Sequence, residues 1–255
     1  MTYDSKFYLS VTERASIAAS LAASITSKFL KPSSLVEIGS GQGIWSQSFS
    51  EAMPSLRYIY AIDLESDNIS LLESHTKSGI PTVAKVSQDL SRNQSLPDKV
   101  FDIGICVEVL EHLPKIAAEL LMLEFGKKCK FLVFSAAITG QGGTHHINEQ
   151  NLNYWSNKLA ATGFVPLDVF RKEFREDARI PSYYSNSIAL WVNVGYVDNV
   201  NIGILNLNQL FKCFSPDISD SRSFLNKLRY FIVGLLPHQT VTLIAKVKNS
   251  QIRSR

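Results

Sequence analysis

Leu35-Val-Glu-Ile-Gly-Ser-Gly-Gln-Gly43 is the stretch that decides how the chain is read. A short β-rich run, Leu35 to Ile38, leads directly into glycines at 39, 41 and 43, and a helical stretch from Gln42 to Ala52 follows. Glycines between a strand and a helix let the backbone approach a ligand closely, and the helix N-terminus offers unpaired N–H groups to an anion. The spacing departs from the dinucleotide fingerprint, which needs a third glycine where this chain has Ile44, so a nicotinamide dinucleotide is disfavoured.

Outward from that loop, β-rich runs alternate with helical ones. Strands are expected at Leu35 to Ile38, Tyr58 to Ile62, Thr82 to Val86, Phe101 to Cys106, Lys130 to Phe134, Phe164 to Phe170 and Ile188 to Val194. Upstream, Val11 to Leu30 places Ile17, Leu21, Ile25 and Phe29 at steps of four, the pattern of an amphipathic helix stopped by Lys31-Pro32. A crossover helix is expected over Glu65 to Ser78, closed by Gly79. Alternating β and α units predict an α/β fold, a mostly parallel seven-stranded sheet with helices on both faces. Between the last two strands Phe174 to Ser182 is charge-rich and carries Pro181, which suits an antiparallel edge strand better than a crossover helix. In such a sheet, ligands bind outside the carboxyl ends of the strands, so Glu37 to Gly43, Asp63 and Asp89 converge on one crevice. Asp102 opens its strand instead of ending it, and is read as structural.

Glu37-Ile-Gly-Ser-Gly-Gln-Gly43, Tyr60-Ala-Ile-Asp63, Ser87-Gln-Asp-Leu90 and Phe101-Asp-Ile-Gly-Ile-Cys-Val-Glu-Val-Leu-Glu-His-Leu-Pro114 occur in that order. Together they resemble the successive motifs of class I S-adenosylmethionine-dependent methyltransferases, whose fold is Rossmann-like. The resemblance implies S-adenosyl-L-methionine as cofactor, with Gly39, Gly41 and Gly43 along its methionine end, Asp63 on its ribose and Asp89 or a neighbour at its adenine. Ser40, Leu64, Leu90 and Val107 fall beside these positions and are carried over with them. A carboxylate at Glu37 can reach the cofactor's ammonium, while the helix N-terminus receives its carboxylate.

Glu108, Glu111 and His112 stand at i, i+3 and i+4, which puts them on one face if the segment turns helical. With His146 they are candidate ligands for Mg²⁺ or Mn²⁺. Similar E-x-x-E-H arrangements hold metals in ubiquinone-biosynthesis O-methyltransferases and in 2′-O-methyltransferases of small RNAs, although Glu-His-Leu also occurs in metal-free members of the class. Gly140-Gln-Gly-Gly-Thr-His-His-Ile-Asn148 is a flexible loop expected to carry two imidazoles over the crevice. His146, His145 and His112 are therefore the candidate catalytic residues, with His146 preferred as general base or ligand. Asn148 is expected to cap a helix over Glu149 to Ala161, ended by Gly163. Tyr183, Tyr184 and Asn186 are candidates for the far wall of the pocket.

Composition bounds the rest. With 255 residues, 45% hydrophobic and 19% charged, the chain is neither disordered nor fibrous. No apolar run approaches the ~18 residues of a membrane span, the opening MTYDSKFYLS lacks an export pattern, and three scattered cysteines suit a reducing compartment. A cytoplasmic protein is expected. Net charge is +3, divided as −2 up to Tyr196 and +5 from Val197 onward. Three parts are expected: an N-terminal helical lid (1–34) with Tyr3, Phe7 and Tyr8, a cofactor-binding core (35–196) and a basic extension (197–255). In the extension Phe224, Leu225, Leu228, Phe231, Ile232, Leu235 and Leu236 share a helical face, fit to dock on the domain or to make a homodimer, with membrane-surface contact less favoured. The leading function is O-methylation of a small-molecule acceptor, a sugar or biosynthetic intermediate. The alternatives are a metal-dependent RNA 2′-O-methyltransferase, disfavoured because the core's charge gives nucleic acid no basic track, and a silent S-adenosylmethionine-binding regulator.

Overall fold

The computed structural model describes residues 5–65 and 81–196, with side chains from residue 14 onward. Strand β1, Ser34–Ile38, is buried along its whole length, as its run of Leu, Val and Ile requires. Six further strands join it: β2 Tyr58–Asp63, β3 Thr82–Ser87, β4 Phe101–Val107, β5 Cys129–Ser135, β6 Phe164–Leu167 and β7 Ala189–Asn193. Their order across the sheet is β3-β2-β1-β4-β5-β7-β6. All neighbours among β1 to β5 are parallel, whereas β7 runs antiparallel to both β5 and β6. The chain therefore leaves β1 toward one side and returns to its other side at β4. The crevice of a doubly wound sheet opens at that reversal, above the carboxyl ends of β1 and β4.

Each face of the sheet carries its own core. On one lie α1 (Ser5–Ser27) and α2 (Ile44–Ala52), with Ala18, Ala19, Ala22, Ala23, Trp45 and Phe49 buried against Leu35, Ile59 and Ile103. On the other lie α3 (Lys115–Lys128) and α4 (Leu152–Ala160), through Leu121, Phe125, Trp155 and Leu159. The buried face of α1 follows its alanines, and Ile17 and Leu21 are only half-buried, because small side chains bring the helix closest to its neighbours. This helix stops at Ser27, and single turns continue to Leu30.

All seven strands fall within a few residues of their expected places. The antiparallel member differs from expectation: it is β7, inside the sheet, and the edge is β6. Pro166 explains the edge position, since it lacks an N–H for a second neighbour. Strand β6 ends at Leu167, and Asp168 then holds Arg171 in a two-pronged pair at 2.9 and 2.6 Å that turns the chain. Between β6 and β7 the charge-rich segment forms two short helices, α5 (Arg171–Glu176) and α6 (Ser182–Ser187), with Pro181 at the N-cap of the second. The expected helix over Glu65 to Ser78 with Gly79, the side chains of Tyr3, Phe7 and Tyr8, and the apolar face from Phe224 to Leu236 lie outside the described residues. Among the described residues no helix is long and apolar enough to cross a membrane.

Asp102 ties the lower end of the sheet together. Its Oδ2 accepts from Ser33 N–H, Ser33 Oγ and Ser34 N–H at 2.8, 2.6 and 3.2 Å, and its Oδ1 accepts from Lys130 Nζ at 2.8 Å. Burial alone would raise its pKa, but the bonds from Lys130 and Ser33 hold it below the usual carboxylate value. Asp102→Ala should cost about 2–4 kcal/mol in urea denaturation, since charged hydrogen bonds into β1 and β5 are lost together.

Candidate active site

The glycine loop is built as a left-handed turn. Gly39, Gly41 and Gly43 have φ of 66°, 52° and 85°, values that side chains disfavour. A Cβ on Gly39 would in addition stand 2.5 Å from Val109 Cγ2. The loop is strapped to the end of β2, because Ser40 N–H and Ser40 Oγ both donate to Ile62 O and Gly41 N–H donates to Asp63 Oδ2 at 2.7 Å. Asp63 Oδ1 accepts from Leu64 N–H at 2.8 Å. Burial raises the Asp63 pKa, against the lowering by the Gly41, Leu64 and Glu65 amides. A carboxylate has about four lone-pair sites, so capacity for ribose hydroxyls remains.

Glu37 turns one carboxyl oxygen to the first turn of α2. It is 2% exposed and its Oε2 accepts from Ser46 N–H at 3.0 Å and from Ser46 Oγ. Gly43, the N-cap of α2, has no side chain to satisfy that turn, and a strand residue does so in its place. Burial pushes the Glu37 pKa up to about 8, although the Ser46 bonds lower it. Asp89, just past the end of β3, is half-buried; its Oδ1 accepts from Ser91 N–H and Oγ at 2.9 and 2.5 Å, and the Ser91 hydroxyl leads in holding its pKa down. Leu90 is buried in a core cluster, Val107 packs on the other core and Leu64 is 43% exposed.

The acid–histidine segment is a kink followed by one 3₁₀ turn, Leu110–His112, and not an α-helix, because Pro114 follows at once. Glu108 sits at φ 56°, a strained conformation fixed by its own bonds: its N–H donates to Ser135 O, while Ser135 Oγ and Gln141 Nε2 donate to its carboxylate at 2.8 and 2.6 Å. Glu111 is fully buried, and neither carboxyl oxygen has a hydrogen-bond partner of ordinary geometry. Burial first, then the Glu108 charge, push its pKa well above the carboxylate range, and burial raises Glu108 too. His112 is pushed down to about 4 by burial and then by His146, against a hydrogen bond to the His145 backbone.

The loop after β5 closes over this turn. Ile147 N–H and Asn148 N–H donate to Glu111 O at 2.9 and 3.0 Å, and Asn148 Nδ2 donates to Leu110 O at 3.2 Å. Asn148 is thus a clip between loop and turn, and Asn151 is the true cap of α4, its side chain accepting from Tyr154 N–H. His146 is 7% exposed, and its ring meets that of His112 edge-on at 4.9 Å. His145 does not join it: at φ 62° it turns to the exposed side, so one imidazole of the pair enters the crevice. Potential ligand atoms of Glu111, His112 and His146 lie within 4.8 Å of one another. Glu108, expected as a fourth ligand, stays outside that set because Ser135 and Gln141 engage both its oxygens. Tyr184 is core, edge-on to Trp45 at 5.9 Å, and the Tyr183 ring lies beside it at 4.6 Å, tilted by 48°. Glu149 and Gln141, which orient His146 and Glu108, were not anticipated; the His-x-x-Glu spacing of 146 and 149 was the available signal.

Residues 12–135 match the family model of a methyltransferase domain. That stretch of the chain is a methyltransferase domain. No functionally curated protein matches the sequence. Among solved structures, an S-adenosylmethionine-dependent methyltransferase of Clostridium acetobutylicum superposes with a TM-score of 0.50 at 12% identity, over 71% of this chain and 91% of that one. A Nostoc punctiforme protein assigned as an O-methyltransferase superposes with a TM-score of 0.51 at 10% identity, over 73% of this chain and 58% of its own. At such identities the likeness is one of fold. An N1-methyltransferase of Burkholderia thailandensis, solved with 1,6-didemethyltoxoflavin and S-adenosylhomocysteine, is similar over 72% of this chain and 79% of that one at 16% identity, with a TM-score of 0.49.

Two results are expected of this methyltransferase. Asp63→Ala removes the expected ribose acceptor and the partner of Gly41 N–H, and titration calorimetry should show S-adenosylhomocysteine binding weakened at least about tenfold, or roughly 1.4 kcal/mol. Glu37, with a folded pKa near 8 against an ordinary 4.5, keeps a proton that the unfolded chain releases, so it makes stability fall as pH rises from about 5 through 8. Glu37→Gln keeps an acceptor for Ser46 without titrating, and should raise the ligand-free Tm at about pH 8 by roughly 5 °C while giving no gain at about pH 5.

Proposed function

We propose that the enzyme transfers the cofactor's methyl group to a hydroxyl of a small-molecule acceptor, with a divalent cation held by Glu111, His112 and His146. The observation that carries the proposal is the buried Glu111 carboxyl, which has no hydrogen-bond partner of ordinary geometry and lies beside two imidazoles at the carboxyl end of β4. A buried carboxyl without hydrogen bonds is costly, and a cation or a proton must meet it. Two imidazoles with one carboxylate suit Mn²⁺ or Zn²⁺ better than Mg²⁺, which prefers oxygen donors. Bound there, the cation would supply Lewis acidity that lowers the pKa of an acceptor hydroxyl.

Every other part falls to the chain. The glycine loop and Asp63 are assigned to the cofactor, whose sulfonium methyl is the electrophile. In-line displacement needs the acceptor oxygen held against that methyl, and positioning supplies most of the acceleration. Val109, against Gly39, joins the cofactor loop to the acid–histidine turn, so the two halves of the reaction share one wall. Glu108 braces the turn through Ser135 and Gln141, and Tyr183 offers an aromatic side beside it. A second reading rests on the short contact between His146 Nδ1 and Glu149: without a cation, the ring's other nitrogen would be the general base for the same hydroxyl.

Mn²⁺ titration by calorimetry, together with release of S-adenosylhomocysteine from panels of hydroxyl and amine acceptors, tests the proposal. Wild type should bind Mn²⁺ and lose turnover with a chelator, while Glu111→Gln should lose Mn²⁺ binding, keep S-adenosylhomocysteine binding and fall at least about 100-fold in kcat. Chelator-resistant turnover that His146→Gln abolishes would instead establish the cation-free mechanism. Preference for amines would overturn the acceptor class.

A further inference from the structure

Glu149 belongs to neither the triad nor the cofactor loop, yet its carboxylate gathers the segment that carries His146. Its Oε1 accepts from Gly142 N–H at 2.7 Å and lies 2.8 Å from His146 Nδ1, and its Oε2 accepts from Gly140 N–H at 2.9 Å. Both side chains are nearly closed to solvent, at 12% exposed for Glu149 and 8% for His146. The two glycine amides, at φ of 80° and 68°, fix the plane of the carboxylate before it meets the imidazole. A carboxylate can only accept, so a neutral His146 must carry its proton on Nδ1, and its lone pair is then on Nε2. The ring is also confined sterically, since a Cβ at Gly143 would overlap it.

From this geometry we infer that Glu149 is a positioning residue: it sets the tautomer and the ring orientation of His146, so that Nε2 is the nitrogen presented to the bound cation. The inference rests on the proposed use of Glu111, His112 and His146, but its central statement concerns a proton position that can be read without any metal. Carboxylates behind metal-binding imidazoles raise ligand basicity, and their loss commonly costs about 10–100-fold in metal affinity. A merely structural Glu149, holding the two glycine amides, would leave the choice of tautomer to other groups.

Long-range ¹H–¹⁵N correlation on the full chain labelled with ¹⁵N-histidine, at about pH 8 and so above the ordinary imidazole range, reads which nitrogen is protonated. The His146 signals are those absent from His146→Gln. Wild type should show a protonated Nδ1 and a bare Nε2. Glu149→Ala should populate the Nε2–H form and weaken Mn²⁺ binding about 10–100-fold. Glu149→Gln, whose amide oxygen still accepts from Nδ1–H, should keep the wild-type tautomer and lose less affinity.

A wild-type His146 protonated on Nε2 overturns the inference before any variant is made, which covers the case of a Glu149→Ala protein that does not fold. An unchanged tautomer in Glu149→Ala overturns it too, as does a changed tautomer with unchanged Mn²⁺ affinity. Wild-type protein that shows the Nδ1–H form, loses it in Glu149→Ala and binds no Mn²⁺ upholds the orientation by Glu149 and removes the cation from the proposed function.

Discussion

Parallel pairing of β1 with β4, from Leu35 opposite Ile103 to Ile38 opposite Cys106, is the constraint on which everything above the sheet depends. Paired residues of the two strands are 68 positions apart in the chain and share nothing locally. Once they lie in register, the glycine loop that follows one and the acid–histidine turn that follows the other emerge side by side. Val109 against Gly39 is the contact that results. At the opposite end Asp102 bonds from β4 to Ser33 and Ser34, which pins the register where no ligand comes near. Stability and chemistry are thus assigned to opposite ends of the same pair of strands.

The electrostatics of the crevice follow from which groups it buries. Glu37, Asp63, Glu108 and Glu111 all have raised pKa values, with burial the leading cause in each. The hydrogen bonds found on the first three come from neutral donors, namely backbone amides, serine hydroxyls and a glutamine amide. Neutral donors soften desolvation without supplying an opposing charge, so burial favours the protonated carboxyls, whose protons an arriving cation can displace. A sulfonium cofactor with its ammonium group, and a divalent cation, are ligands whose arrival that exchange rewards.

Much of this was legible in the sequence, for reasons that differ from place to place. The strands could be read because each is a short apolar run ended by a residue with an evident task, such as Gly39, Asp63 or Glu108. The glycine loop could be read as a tight turn because positive φ selects glycine. Side-chain direction was harder. The apolar row Ile17, Leu21, Ile25 and Phe29 suggested the buried face of α1, but alanines can be buried more deeply than large residues when helices pack closely. Asn148 is the cap that the sequence suggests, but the loop's fold onto the 3₁₀ turn uses it as a clip and leaves the cap to Asn151. His145 and His146 are equivalent in sequence, and the αL kink at His145 separates them. Glu149 was read as the first residue of a helix, since periodicity carries no information about which loop amides a carboxylate will find.

Insertion of β7 between β5 and β6 has a consequence for the order in which the molecule can assemble on a ribosome. Strand β6 is made first, yet among the described residues its sole neighbour in the sheet is β7, whose last residue is Asn193. Until that residue clears the exit tunnel, Phe164 to Leu167 has nothing to pair with, and the open side of β5 stays bare. The nascent sheet can close from β1 through β5 and must then wait, exposing one unpaired flank to whatever meets it. Pro166, which cannot donate to a strand, lies in the waiting segment and makes it a poor template for association with another chain.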